Sequence, residues 1–237
     1  MNTDSSITPF QIIFVVMIVL IIAVVGGIII RYDQKRKQNN CAIAEQLGFV
    51  AVPKLTKEIL HRVKRVYQTS TRVKASNTAY KQMDGRDVYV MDVSYANMRA
   101  ENGEVEYRAI CMMNEQLDLP FFLMLYQFDE VYGQAGKKIN QLMKLAVEIL
   151  GMKKIPFNHP AFEKKYQVYG FKEEEIRRIF TARLLMDLSG TDEWLIRAEG
   201  DCVCFNTYTM QRGGLITLQE MQEQLENAQH LLGWLTE

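Results

Sequence analysis

The side chains able to do chemistry are few in this sequence, and they are scattered. Three histidines, His61, His159 and His230, are the natural candidates for proton transfer or metal ligation. None has another His, a Cys or an acid at metal-ligand spacing, and no His-Glu-x-x-His pair occurs. His159 lies in Asn158-His159-Pro160, which reads as a solvated turn. Four cysteines (Cys41, Cys111, Cys202, Cys204) form neither a disulfide framework nor a zinc pattern. Cys202 and Cys204 are two apart in a strand-like run, so they share one face and read as small buried hydrophobes. Asp192-Glu193 offers half of a carboxylate pair at the exposed start of a strand. No Gly-x-Ser-x-Gly elbow supports a nucleophile. Arg212-Gly213-Gly214 lacks the strand-to-helix context of a phosphate loop, and Asp84-Gly85-Arg86 makes a turn before a strand. No catalytic, cofactor-binding or metal-binding set is expected, which favours a non-enzyme and leaves an enzyme as the alternative.

The dominant element is instead the stretch Ile12 to Ile30. Its nineteen residues carry no charge, and thirteen are Ile or Val. As a helix they span roughly 28 Å, close to the ~30 Å hydrocarbon core of a bilayer. Lipid forces the backbone to satisfy its own hydrogen bonds, so a transmembrane helix over 10–30 is expected despite the β-branched content. Residues 1–9 hold Asp4 and no Lys or Arg, whereas Arg31, Lys35, Arg36 and Lys37 follow the helix. That asymmetry predicts an extracytoplasmic tail over 1–9 and a C-terminal part in the cytoplasm, at the inner (plasma) membrane. Tyr32 suits the interface, and free thiols suit a reducing compartment.

Charge is neutral in total but unevenly placed. Residues 31–74 hold eleven Lys/Arg against Asp33, Glu45 and Glu58, and residues 75–237 hold seventeen against twenty-four acids. The resulting +8 next to the helix and −7 beyond it fit anionic lipid headgroups better than nucleic acid. Arg31, Lys35, Arg36, Lys37, Lys57, Arg62, Lys64 and Arg65 are the candidate membrane-surface residues. Segment 31–84 reads as a basic connector with helices over Cys41–Leu47 and Thr56–Tyr67. The second is amphipathic, with Ile59, Val63 and Val66 on one side. That side meets either the bilayer interface or the core of the domain.

From residue 85 a folded domain is expected. Val88–Tyr95 alternates as a strand, Asn102-Gly103 is a hairpin signal, and Val105–Met113 returns. Phe121–Tyr126 is almost wholly apolar and reads as a central third strand of a meander. A helix over Ile139–Leu150, a strand over Tyr166–Tyr169 and one helix over Lys172–Leu188 follow. A Trp194–Tyr208 hairpin turns at Gly200-Asp201, and a last helix opens with the capping-box form Thr217-Leu218-Gln219-Glu220. The order β-β-β-α-β-α-β-β-α predicts an α+β domain over 85–237, an antiparallel sheet covered by helices on one face.

Several of these pieces also match a family. Gly85 to Tyr95, Leu119-Pro120-Phe121-Phe122-Leu123, Tyr166 to Gly170, Ile176 to Phe180 and the Trp194–Phe205 hairpin resemble a family of uncharacterised bacterial membrane-anchored proteins. The resemblance covers about residues 84–237 and implies hydrophobic N-terminal anchoring with a cytoplasmic α+β domain. It implies no catalytic residue.

Two functions are compatible with these features. One is a membrane-anchored cytoplasmic binding or assembly module, an accessory subunit of an envelope-associated complex with a protein partner or a second copy. The other is a sensor or enzyme holding an apolar small molecule or lipid between sheet and helices.

Overall fold

The computed structural model describes residues 9–67, 73–96, 104–127, 144, 147, 150–191, 193–207 and 216–235. Among them, helix α1 (Pro9–Gln46) runs without a break for 38 residues, about 57 Å. The apolar stretch and the expected Cys41–Leu47 helix are therefore one helix. The large apolar side chains described between Met17 and Ile30 are exposed, and the helix is long and apolar enough to cross a membrane. Its last turns behave differently: Arg36, Asn40, Ile43 and Ala44 are buried. Gly48, at φ 79°, closes the helix in the left-handed conformation that favours glycine.

Nine described strands form one antiparallel sheet: β1 (Val50–Val52), β2 (Val73–Met83), β3 (Arg86–Ala96), β4 (Glu104–Met113), β5 (Leu119–Tyr126), β6 (Lys153–Ile155), β7 (Tyr166–Gly170), β8 (Trp194–Gly200) and β9 (Cys202–Thr207). Their spatial order is β1-β2-β3-β4-β9-β8-β5-β7-β6. The sheet takes in residues of the expected connector, since β1, β2 and the helix α2 (Lys57–Val66) all lie within 31–84. The β2–β3 turn uses Asp84 and Gly85, both at positive φ, as two-residue hairpins require.

The expected meander is only half present. β3 and β4 pair over ten residues, but β5 pairs with β7 and β8 instead of β4. The β8–β9 hairpin is inserted between them, and the turn after β4 is fastened to its tip by Asn114 N–H donating to the Asp201 carbonyl at 3.0 Å. Burial explains the insertion. All six residues of β9 and the first five of β8 are buried, so both strands need neighbours on each side. The Asn102-Gly103 turn and most of the Ile139–Leu150 helix lie outside the described residues.

Helices cover both faces, which corrects the one-face expectation. The larger core joins Val88, Val90, Ile110, Met112, Phe122, Met124, Ile196 and Phe205 to the end of α1 and to α3 (Pro160–Lys165), α4 (Glu173–Ile179), α5 (Ala182–Gly190) and α6 (Leu218–Leu235). On the opposite face α2 covers Tyr89, Met91, Val93, Cys111, Met113, Cys202 and Cys204. A third cluster, with Val147 and Met152, covers Phe121, Leu123, Leu125 and Leu195. The single helix expected over Lys172–Leu188 is two, because Thr181 caps α5 by accepting from Leu184 N–H. The capping box of α6 forms as expected. Glu220 N–H donates to Thr217 Oγ1 at 3.2 Å, and Thr217 N–H donates to Glu220 Oε2 at 2.7 Å. The bonds that Thr217 N–H and Thr217 Oγ1 donate to Glu220 Oε2 hold its carboxyl below the ordinary range.

Among the described residues, one ion pair is buried in the sheet. Asp92 and Arg108 face each other across β3 and β4, 2.8 Å apart, and Asn77 Nδ2 donates to the second Asp92 oxygen at 2.7 Å. Asn77 reaches it from the irregularity in β2, at φ 48°. Removing one partner strands the other charge. Asp92→Ala is expected to cost about 3–5 kcal/mol in denaturant unfolding, whereas replacing both residues by Leu and Met costs less.

Candidate functional site

The chemistry-bearing residues gather in two places: the junction of α1 with the sheet, and the face beneath α2. At the junction, Arg31 and Lys35 are exposed, Lys37 is half-buried and Arg36 is buried. Only five residues separate Ile30 from Arg36, which lies about 9 Å further along the helix. Asn39 Nδ2 donates to the Ile216 carbonyl at 2.9 Å, tying α1 to the start of α6. On the sheet side Lys81 Nζ donates to the Leu47 carbonyl at 2.7 Å and stands over the Phe49 ring. Helix α1 is thus built into the domain by apolar packing and by bonds on two sides.

α2 sorts its residues by face. Val63 and Val66 have no exposed surface and pack on the sheet. That side chain row meets the core of the domain. Lys57 and Lys64 are exposed, while Arg62 and Arg65 are half-buried and converge on Asp201 at the tip of β8–β9. The distances are 3.0 and 2.8 Å, and Glu58 lies 3.0 Å from Arg62. Burial works against the charge of Arg62, but Asp201 and Glu58 outweigh it and raise its pKa. Gly200, at φ 58°, lets the Arg65 guanidinium lie against the turn.

Under α2 lie three thiols. Cys111 and Cys204 are register partners on β4 and β9, with sulfurs 2.6 Å apart, and Cys202 points to the same face. Burial pushes the Cys111 and Cys204 thiols up, and Cys202 is pushed up by its bond to Cys204 and by burial. Arg197, the register partner of Cys204, is buried beside them with its guanidinium 4.7 Å from the centre of the Tyr67 ring. Sequence reading found Cys202 and Cys204 on one face. It missed Cys111 and Arg197, although strand pairing in the observed register would have placed both there.

The remaining candidates stay apart. His159 caps α3, its Nδ1 accepting from Phe162 N–H at 3.2 Å, and the His230 ring lies tilted at 59° to Trp234, 5.3 Å between centroids. Among the described residues, no group of three or more His, Cys, Asp or Glu side chains could hold a metal ion.

Comparison with known proteins adds little. No family model matches the chain, and no curated protein matches it. A solved structure does align with it: the mycobacterial trehalose monomycolate transport factor A, TtfA. Identity is 13%, coverage is 82% of this chain and 95% of that one, and the TM-score is 0.45. At that level of similarity the alignment carries no functional weight.

The thiols make stability depend on alkaline pH. Their folded pKa values lie above the unfolded value of about 8.5, so the native state keeps protons that the unfolded chain releases. Their contribution is intact below about pH 8.5 and is lost as pH rises. Urea midpoints are expected to hold steady from pH 6.5 to 8 and then fall. The slope is at most about 1.4 kcal/mol per pH unit for each thiol. A Cys111→Ala, Cys204→Ala double variant should show a shallower fall.

Proposed function

We propose that the protein is a single-pass membrane protein whose α+β domain is a cytoplasmic binding or assembly module, an accessory subunit of an envelope-associated complex. The observation that supports this most is the continuity of α1. The helix that is apolar over 12–30 enters the domain core at Arg36, Asn40, Ile43 and Ala44 with no linker between. A cleaved leader has no need to be continuous with the core it leaves behind. A helix serving both as anchor and as core element sets the distance and orientation of the domain relative to the bilayer, which an assembly subunit requires.

Orientation follows from the charge step at Arg31–Lys37. With Arg36 buried, the headgroup contacts assigned to the cytoplasmic leaflet are Arg31 and Lys35, with Lys57 and Lys64 as the exposed cations of α2. Each contributes about 1 kcal/mol at most near an anionic surface. A ligand held between sheet and helices has less support, because Phe122, Phe162, Phe205, Met112 and Met124 already fill that interface with under 2% exposure.

A reporter fused after Glu237 is expected to be active only in its cytosolic form; extracytoplasmic activity would reverse the orientation. The assembly role is tested by affinity purification in mild detergent, with a four-residue Gly-Ser insertion after Arg31 as the comparison. The parent should retain a partner or a second copy, and the insertion should lose at least ten-fold of it while the domain stays folded. A parent that purifies strictly alone defeats the assembly reading.

A further inference from the structure

We propose that Cys111 and Cys204 are a redox-active pair that closes to a cross-strand disulfide, and that α2 is the cover deciding when an oxidant reaches them. The geometry is close to that of the bond. Directly opposed residues in an antiparallel pair have Cα atoms about 4.5–5.5 Å apart, within the roughly 4.4–6.8 Å that a disulfide accepts. The two sulfurs already lie 2.6 Å apart.

Their location gives the bond a consequence. Strands β1–β4 make one side of the sheet and β5–β9 the other, and the two sides meet along β4–β9. That seam has four registered pairs, Ile110–Phe205 to Met113–Cys202, against ten between β3 and β4. The pair sits within it and joins residues 93 apart in sequence. A disulfide there fastens the two sides of the sheet covalently.

Access is controlled from above. Both thiols have no exposed surface, and Val63 and Val66 of α2 pack in the same cluster. Besides that packing, α2 is fastened to the β8–β9 tip by Arg62 and Arg65 on Asp201, whose side chains are partly exposed. Exposed and half-exposed ion pairs weaken with salt, so this fastening is the adjustable part of the cover.

The oxidant class is a peroxide. With α2 lifted, the thiols lose the burial that holds their protons; one then gives up its proton and its sulfur attacks the O–O bond, forming a sulfenic acid and releasing water. The sulfur of the second thiol then attacks the sulfenic sulfur; the S–S bond forms, the S–O bond breaks, and hydroxide leaves with the second proton as water. Two thiols lose two electrons, and hydrogen peroxide becomes two waters. A dithiol reductant reverses the change.

The test uses the full chain in detergent, treated with hydrogen peroxide, then alkylated and mapped as peptides without reduction. A linked Cys111–Cys204 peptide is expected, with Cys202 alkylated, and dithiothreitol should restore both thiols. The oxidised form should melt roughly 5–15 °C higher than the reduced one. Cys202→Ser should keep the link, and mapping of the unaltered chain decides the pairing even if Cys111→Ser or Cys204→Ser fails to fold. Asp201→Asn should speed closure roughly 3- to 10-fold at low salt, as expected when pairs of about 1 kcal/mol are lost. A map showing Cys202 in the link, or only sulfinic and sulfonic acids, overturns the pairing. An unchanged rate in Asp201→Asn, with the link still formed, overturns α2 as the cover.

Discussion

The β4–β9 pairing is the contact on which the rest of the architecture depends. Without it, the strands before residue 114 and those after residue 118 are two separate sheets, each with an open edge in the middle of the molecule. Unpaired edges of buried strands are costly, because their backbone groups have neither water nor partner. Inserting the β8–β9 hairpin between β4 and β5 closes both edges at once. The run Cys202–Thr207 suits that place, since small and apolar side chains pack on either face of a middle strand. The larger core then spans the seam on one side, where Ile110 and Met112 meet Phe205 and Val203. On the other side the seam is lined by Cys111, Met113, Cys202 and Cys204 under α2.

A sheet of this width has two faces to cover, and that requirement explains the use of α1. Its first part has exposed large apolar side chains among the residues described from Met17 to Ile30, and it is long and apolar enough to cross a membrane. Its last part has a buried stripe at Arg36, Asn40, Ile43 and Ala44, the spacing of a helix packed on one side. Arg36 is the informative residue of this group. Its charge helps to read the flank as cytoplasmic, yet its place in the helix brings it inward, to 8% exposure. One side chain is thus claimed by two arguments, charge near a membrane and periodicity near a core, and the structure places it with the core.

Much of this was legible in the sequence, and the parts that were not share a cause. The turns at Asp84-Gly85 and Gly200-Asp201 and the Thr217–Glu220 capping box are local: the residues that signal them also make the bonds. Strand order is not local. Phe121–Tyr126 reads as a third meander strand because proximity in sequence favours it, and only the burial of both faces of β8 and β9 reveals the insertion. The break at Phe180–Thr181 was in principle visible, since Thr is a good cap, but the unbroken periodicity from Lys172 to Leu188 hid it. Thiol proximity was half visible. Two cysteines two apart in a strand share a face without help, whereas Cys111 joins them only once β4 is known to lie beside β9.

Asp201 shows how the local and the non-local are tied together. It is the second residue of a tight turn, a position where Asp is common for backbone reasons alone. In the folded chain its carbonyl accepts from Asn114 N–H at the exit from β4, and its carboxylate receives Arg62 and Arg65 from α2. One turn residue therefore joins the seam strand, the crossing to β5 and the helix over the thiols. Its side chain keeps 19% exposure, enough for water and ions to compete for the carboxylate but not for the backbone bond. The connection has a firm half, which belongs to the sheet, and a soft half, which belongs to the helix. The ion pairs are therefore the part of this connection most sensitive to salt, and the backbone bond the least.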